Sequence, residues 1–212
     1  SKNLGIPVLY LDTEMAITDQ RHRSMAMLTE TEINAIETGK YAQDAFTKKR
    51  VLDVAKGMRD GKIPMAYKNV SGMPFEEILS IIRRWIMKEV GVNDDGTAKD
   101  CLIVYDYLKL MSSEGLSADL KEYQMLGFMM TGLHNFAVRY QVPVLSFIQL
   151  NRDGITKESS DVAAGSDRIM WLCSNFSIYK FKSDDEIKED SLANGNRKMV
   201  PIMARHGGGL ES

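Results

Sequence analysis

The stretch Cys101-Leu-Ile-Val-Tyr-Asp-Tyr-Leu-Lys-Leu-Met111 restricts the possible folds more than any other part of the chain. Its apolar run, Cys101 to Tyr105, is too short for a helix and rich in strand formers, which predicts a strand buried on both faces. It stops at Asp106. A strand of a parallel sheet delivers its last residue to the carboxyl edge, where α/β folds bind ligands, so this carboxylate faces a crevice. That is the position of a Walker B acid, which holds the Mg²⁺ of a bound nucleotide. A buried strand that ends on Asp in an unrelated α/β protein fits this stretch equally well.

Two further runs repeat the pattern. Ile6 to Leu11 ends in Asp12-Thr13-Glu14-Met15, and Val142 to Leu150 brings Gln149, then Asn151 and Arg152, to the same edge. Acids and amides at successive strand ends point to a site laid along one side of the sheet. The phosphate loop that should accompany them does not occur within these residues. Gly39-Lys40-Tyr41 and Gly61-Lys62-Ile63 are the only Gly-Lys pairs, and neither has Ser or Thr next or a glycine five residues earlier.

Helical patterns lie between the strands. The chain reads as helices over Asp19 to Leu28, Glu32 to Thr38 and Tyr41 to Arg59, with Gly39 as a stop and Pro64 to Tyr67 as a short edge strand. Pro74 fits a first helical position, with Glu76 and Glu77 in the first turn and Phe75, Ile78, Leu79, Ile82, Ile86 and Val90 forming one apolar stripe. Asp119 to Tyr140 is a long helix that contains His134, a helix residue with no ligand partner at a metal-binding spacing. Asp153 to Asp161 reads as a polar loop and Val162 to Cys173 as a helix. Phe176 to Phe181 reads as a strand, Ser183 to Asp190 as an acidic loop, and Lys198 to Ala204 as a last strand before a glycine turn. Strands alternating with helices make this an α/β chain with a mostly parallel, doubly wound sheet.

A chain of 212 residues suits one such domain. A formal net charge of −2 rules out a globally basic nucleic-acid surface, so any DNA contact belongs to local loops. Cys101 and Cys173 stand in apolar segments without metal spacing and read as reduced core residues of a cytoplasmic protein. No run approaches membrane-spanning length.

In order, Leu11-Asp-Thr-Glu-Met15, Leu102-Ile-Val-Tyr-Asp-Tyr-Leu-Lys-Leu-Met111 and Val142-Pro-Val-Leu-Ser-Phe-Ile-Gln-Leu-Asn-Arg152 resemble the motifs of the DnaB-like replicative helicases. Ala204-Arg-His-Gly207 echoes that family's last motif. The resemblance covers nearly all of the chain and leans toward phage members. It implies a RecA-like P-loop NTPase core, here without its first strand and phosphate loop. The missing strand would lie between the strands read at Val142 to Leu150 and Phe176 to Phe181. Residues 1–212 are then a single ATPase domain, truncated at its N-terminus and at its C-terminus.

The resemblance also assigns roles. Glu14 corresponds to the catalytic glutamate that polarises the attacking water, Asp106 to the Mg²⁺-holding acid, and Gln149 to the sensor between γ-phosphate and the DNA-facing loop. Arg205 corresponds to an arginine finger offered to a neighbouring subunit, although its usual lysine companion is Met203 here. Arg152, Lys157 and Arg168 are candidates for DNA phosphates. The implied ligands are ATP and Mg²⁺, and the implied partners are single-stranded DNA, a homo-hexameric ring, a primase and a helicase loader, with no membrane. Two alternatives share the core: a RecA-like recombinase or clock-type ATPase, and a non-catalytic interaction module derived from one.

Overall fold

A computed structural model describes residues 5–61, 64–108, 122–149 and 167–205. It divides into two compact units, Ser1–Gly115 with Asn135–Phe147, and Leu116–His134 with Ile148–Ser212.

The first unit is built on four parallel strands in the order β2-β1-β3-β4: β1 Val8–Asp12, β2 Met65–Asn69, β3 Leu102–Asp106 and β4 Val144–Ser146. β1 and β3 are apolar without alternation because both their faces are covered; Leu11, Ile103 and Tyr105 have no exposed surface. The strand at the chain start and the one ending in Asp106 thus lie side by side in the middle of the sheet, as the mostly parallel α/β reading expects. β2 is an edge strand and follows Pro64, which lacks the N–H that an inner strand would need.

Between β1 and β2 run α1 (Ile17–Thr29), α2 (Ile33–Glu37), a 3₁₀ turn at Lys40–Gln43 and α3 (Ala45–Arg59). The single helix expected over Tyr41 to Arg59 is therefore broken at Asp44. Asp44 takes an extended conformation, and its carboxylate accepts from the Thr47 N–H at 2.7 Å, giving an orphan donor of α3 a partner that helix continuation would not. α2 ends as expected at Gly39, whose φ of 75° suits a residue without Cβ.

Pro74 caps α4 (Phe75–Trp85), which carries Glu76 and Glu77 in its first turn and Arg83 and Arg84 in its last, both favourable to the helix dipole. Ile78, Ile82 and, in the π turn that follows, Ile86 form its inward stripe, and all three are fully buried. Burying side chains of this size contributes about 1.5–3 kcal/mol each. α5 (Glu122–Tyr140) leads toward β4, and its last turns, from Asn135, belong to the first unit. There Phe136 and Tyr140 pack with ring centroids 4.5 Å apart.

β4 is shorter than the strand expected over Val142 to Leu150. Pairing with β3 covers only Val144 to Ser146, and beyond it two backbone bonds, Phe147 N–H to Tyr105 and Leu108 N–H to Phe147, continue the contact without strand geometry. Among the described strands β4 pairs only with β3, and β5 only with β6.

The second unit holds α6 (Asp167–Leu172), β5 (Asn175–Phe181), α7 (Asp184–Asp190) and β6 (Arg197–Ala204), with β5 and β6 antiparallel. Phe176 and Ile178 on one face of this hairpin pack with Ile148, Met170, Cys173, Val200, Ile202 and Met203. The expected acidic loop at Ser183 to Asp190 is instead α7. Ser183 and Glu186 form a reciprocal capping box, with Glu186 accepting from the Ser183 N–H at 2.7 Å and Ser183 Oγ accepting from the Glu186 N–H at 3.3 Å. Three acids in the first turn then meet the positive end of the helix dipole.

Candidate active site at the carboxyl edge of the sheet

Parallel pairing places Asp12 opposite Asp106, so β1 and β3 end level with each other. The chain leaving β1 is laced to β3. Thr13 N–H donates to the Asp106 carbonyl at 2.9 Å, and Thr13 Oγ1 accepts from the Tyr107 N–H at 3.3 Å. The Asp106–Tyr107 peptide is cis.

Asp12 is only 3% exposed, and its carboxylate Oδ1 accepts from the N–H groups of Glu14 and Met15, each at 2.8 Å. This is an Asx turn, in which a side chain takes over backbone donors that no strand partner serves. From the other side, the Met15 carbonyl accepts from Tyr67 Oη at 2.8 Å and from Asn69 Nδ2 at 2.6 Å, both on β2. Main chain on both sides of Glu14 is thereby fixed.

The two acids singled out from sequence come together here. Glu14 is exposed, and its Oε1 accepts from the Tyr107 hydroxyl at 2.8 Å. Asp106 is half-buried, and its Oδ2 accepts from the Tyr10 hydroxyl. Tyr10 also stacks on Tyr67, with ring centroids 6.0 Å apart. Burial, and then the Asp106 carboxylate, hold the Tyr10 phenol well above its ordinary range. Burial and the Asp12 charge push Tyr67 up to about 12, while burial and the bond to Glu14 raise Tyr107. All three phenols therefore stay protonated near neutral pH and act as donors.

Sequence reading missed Asp12, Tyr10 and Tyr107 as parts of the site. Tyr10 stands two residues before Asp12 on the same strand face, and Tyr107 directly follows Asp106, but their partners depend on a strand register that no local pattern supplies.

The remaining candidates belong to the second unit. Gln149 is exposed and lies three residues past the end of β4. Arg205 follows β6; its N–H donates to the Ser174 carbonyl at 2.8 Å, and its guanidinium donates to the carbonyls of Met170, at 3.4 Å, and Trp171 near the end of α6. Arg168 is part of α6, while Arg152 and Lys157 lie outside the described residues. His134 is half-buried within α5. Among the described residues no group of three His, Cys, Asp or Glu could by itself hold a metal, and no helix is long and apolar enough to cross a membrane.

Residues 1–167 match the model of the DnaB-like helicase C-terminal domain. The chain belongs to that family. Its fold agrees with solved structures of DnaB-type helicases. One, the ATPase domain of a DnaB-like helicase, superposes with a TM-score of 0.74 at 16% identity, over 96% of this chain and 68% of that one. Another, a DnaB-like replicative helicase studied with its interactions with primase, gives a TM-score of 0.73 at 17% identity, over 96% of this chain and 46% of that one. At these identities the likeness shows a RecA-like helicase fold. No curated protein matches the chain significantly. Within this DnaB-like chain Glu14, Asp106 and Gln149 fall inside the matched residues, and Arg168 and Arg205 outside them.

Proposed function

We propose that residues 1–212 form one RecA-like domain of an ATP-driven replicative helicase that moves along single-stranded DNA as a ring, its subunits arranged as a homo-hexamer. The observation that carries this reading is the pairing of Glu14 with Asp106 across adjacent strand ends, each acid held by a tyrosine donor. Asp106 suits a hard divalent cation, because one carboxylate beside nucleotide phosphates is a usual complement for Mg²⁺. When bound with the nucleotide, that cation supplies charge neutralisation at the phosphate oxygens.

Glu14 orients the attacking water and accepts its proton. Gln149 reports the state of the γ-phosphate to the DNA-facing loop, and Arg205 meets charge developing on the transferring phosphoryl in the neighbouring subunit's site. Arg152, Lys157 and Arg168 grip DNA phosphates. A primase and a loader are the expected protein partners; support for the primase comes from the structurally similar helicase studied with one. The phosphate cradle does not fit within these residues, since no Gly-Lys-Ser/Thr loop occurs in them.

Calorimetry with Mg²⁺ and ATP on this chain should therefore detect no micromolar binding, and a chain supplied with the family's strand, loop and helix should bind and hydrolyse ATP. In that form Asp106→Asn weakens nucleotide binding, whereas Glu14→Gln leaves binding near the parent's and slows hydrolysis about 10²–10⁴-fold. Parent rates in both variants would overturn the assignment.

A further inference from the structure

We propose that Tyr107 is the positioning residue for Glu14, holding the carboxylate at the angle from which it acts on water; this rests on the catalytic reading of Glu14 given above. The main chain around Glu14 is already fixed from two directions, by the Asp12 carboxylate below and by Tyr67 and Asn69 on the Met15 carbonyl above. What the backbone leaves undetermined is the exposed side chain, whose χ1–χ3 torsions can swing the carboxylate through several ångströms. A displacement of about 1 Å at a reacting group costs on the order of 10²-fold in rate.

The Tyr107 hydroxyl removes that freedom with one bond to Oε1 at 2.8 Å. A carboxylate offers about four acceptor sites, so a single phenol does not exhaust its capacity to take a water proton. Tyr107 is itself tied down, by its N–H to Thr13 Oγ1 at 3.3 Å and by its peptide bond to Asp106. One strand end therefore sets both the acid that serves the cation and the brace that serves the glutamate. The separation of the two functions is fixed by a residue that contacts neither nucleotide nor metal.

Tyr107→Phe removes only the hydroxyl. In this chain with ¹³C-labelled glutamate, the variant should leave the rest of the spectrum and the Tm unchanged, shift the Glu14 carboxyl resonance, and lower the Glu14 side-chain order parameter to about half its parent value. In the form supplied with a phosphate loop, the same variant should lower kcat about tenfold at unchanged KM, the signature of an interaction that matters in the transition state. An unshifted, equally ordered Glu14 overturns the proposal. So does a parent kcat in Tyr107→Phe when Glu14→Gln is inactive. Glu14→Gln running at the parent rate sinks both ideas, and only that result sinks the catalytic reading itself.

Discussion

Asp12 closes β1 and Arg205 follows β6, yet the two polar residues are held by different means. Asp12 is 3% exposed and serves two backbone donors of a segment that side chains from β2 and main chain from β3 also grip. Arg205 is exposed, and its guanidinium rests on carbonyls at the end of α6, a helix of six residues. The charges elsewhere in the second unit pair in similar exposed fashion, Lys198 with Glu186 at 2.5 Å and Lys188 with Asp185 at 2.9 Å. Exposed pairs of this kind contribute about 0–1 kcal/mol. The contrast separates a residue whose loss should disturb the fold from one that can leave its resting partners cheaply.

The sharpest way to break this comparison is to measure activity and stability together at Arg205. In a ring-forming version with its phosphate loop, Arg205→Ala should reduce hydrolysis about 10³-fold, while the Tm reports a stability change of only about 0.5 kcal/mol. Mixing these subunits with Glu14→Gln subunits should recover part of the activity, because some interfaces then pair an intact glutamate with an intact arginine. Mixed rings that form but recover nothing would end the trans assignment. Asp12→Ala is the converse case. Denaturant unfolding should show a loss of about 1–2 kcal/mol, as for a removed cap, and equal costs at Asp12 and Arg205 would erase the distinction.

Tyr105 gives a smaller test within the sheet. Its hydroxyl is buried without a hydrogen-bond partner among the described residues, so Tyr105→Phe should be neutral or stabilising by up to about 1 kcal/mol in the same assay. A clear loss would reveal a polar partner for that hydroxyl.

The two units should also respond to opposite ends of the pH scale. Tyr67 and Tyr105 are each pushed from 10.0 up to about 12, mainly by burial, and Tyr10 is raised as well. A raised folded-state value means that their contribution is complete below about pH 10 and is lost as pH climbs through about 12. Glu186 is held at about 2 by the bond from Lys198 and by its capping role. Its contribution is complete above the ordinary value of 4.5 and fades as pH falls toward about 2. Asp44 and Asp95 are lowered too and add an acid limb to the first unit, so hydrogen exchange at high pH is the better discriminator. It should show β1 to β3 loosening before the hairpin, and Tyr67→Phe should reduce that early opening.

What was legible in the sequence follows from how local each signal is. The apolar runs ending in Asp12 and Asp106, and Pro64 before an edge strand, report burial and missing donors that one segment decides alone. The acids Glu14 and Asp106 could be paired only because two strand ends were read jointly. α7 was signalled by Ser183 and Glu186 at capping-box spacing, but its acidic composition read as a loop. Asp44 was a cap hidden inside a helical pattern. Strand pairing sets the length of β4 and the partners of Tyr10, Asp12 and Tyr107, so no inspection of their own neighbourhoods would have supplied them.

The level register of β1 and β3 also bears on how such chains can vary in length. Because side chains alternate with a period of two, deleting one residue inside either strand would turn Tyr105 or Leu11 out of the core and put a neighbouring side chain where Asp106 or Asp12 stands. The helical stretch between β1 and β2 carries no such constraint, since a connection pays only slowly for added length. Insertions among related chains should therefore collect between Thr18 and Gly61, while the spacing from Val8 to Glu14 and from Leu102 to Tyr107 stays invariant in residue count.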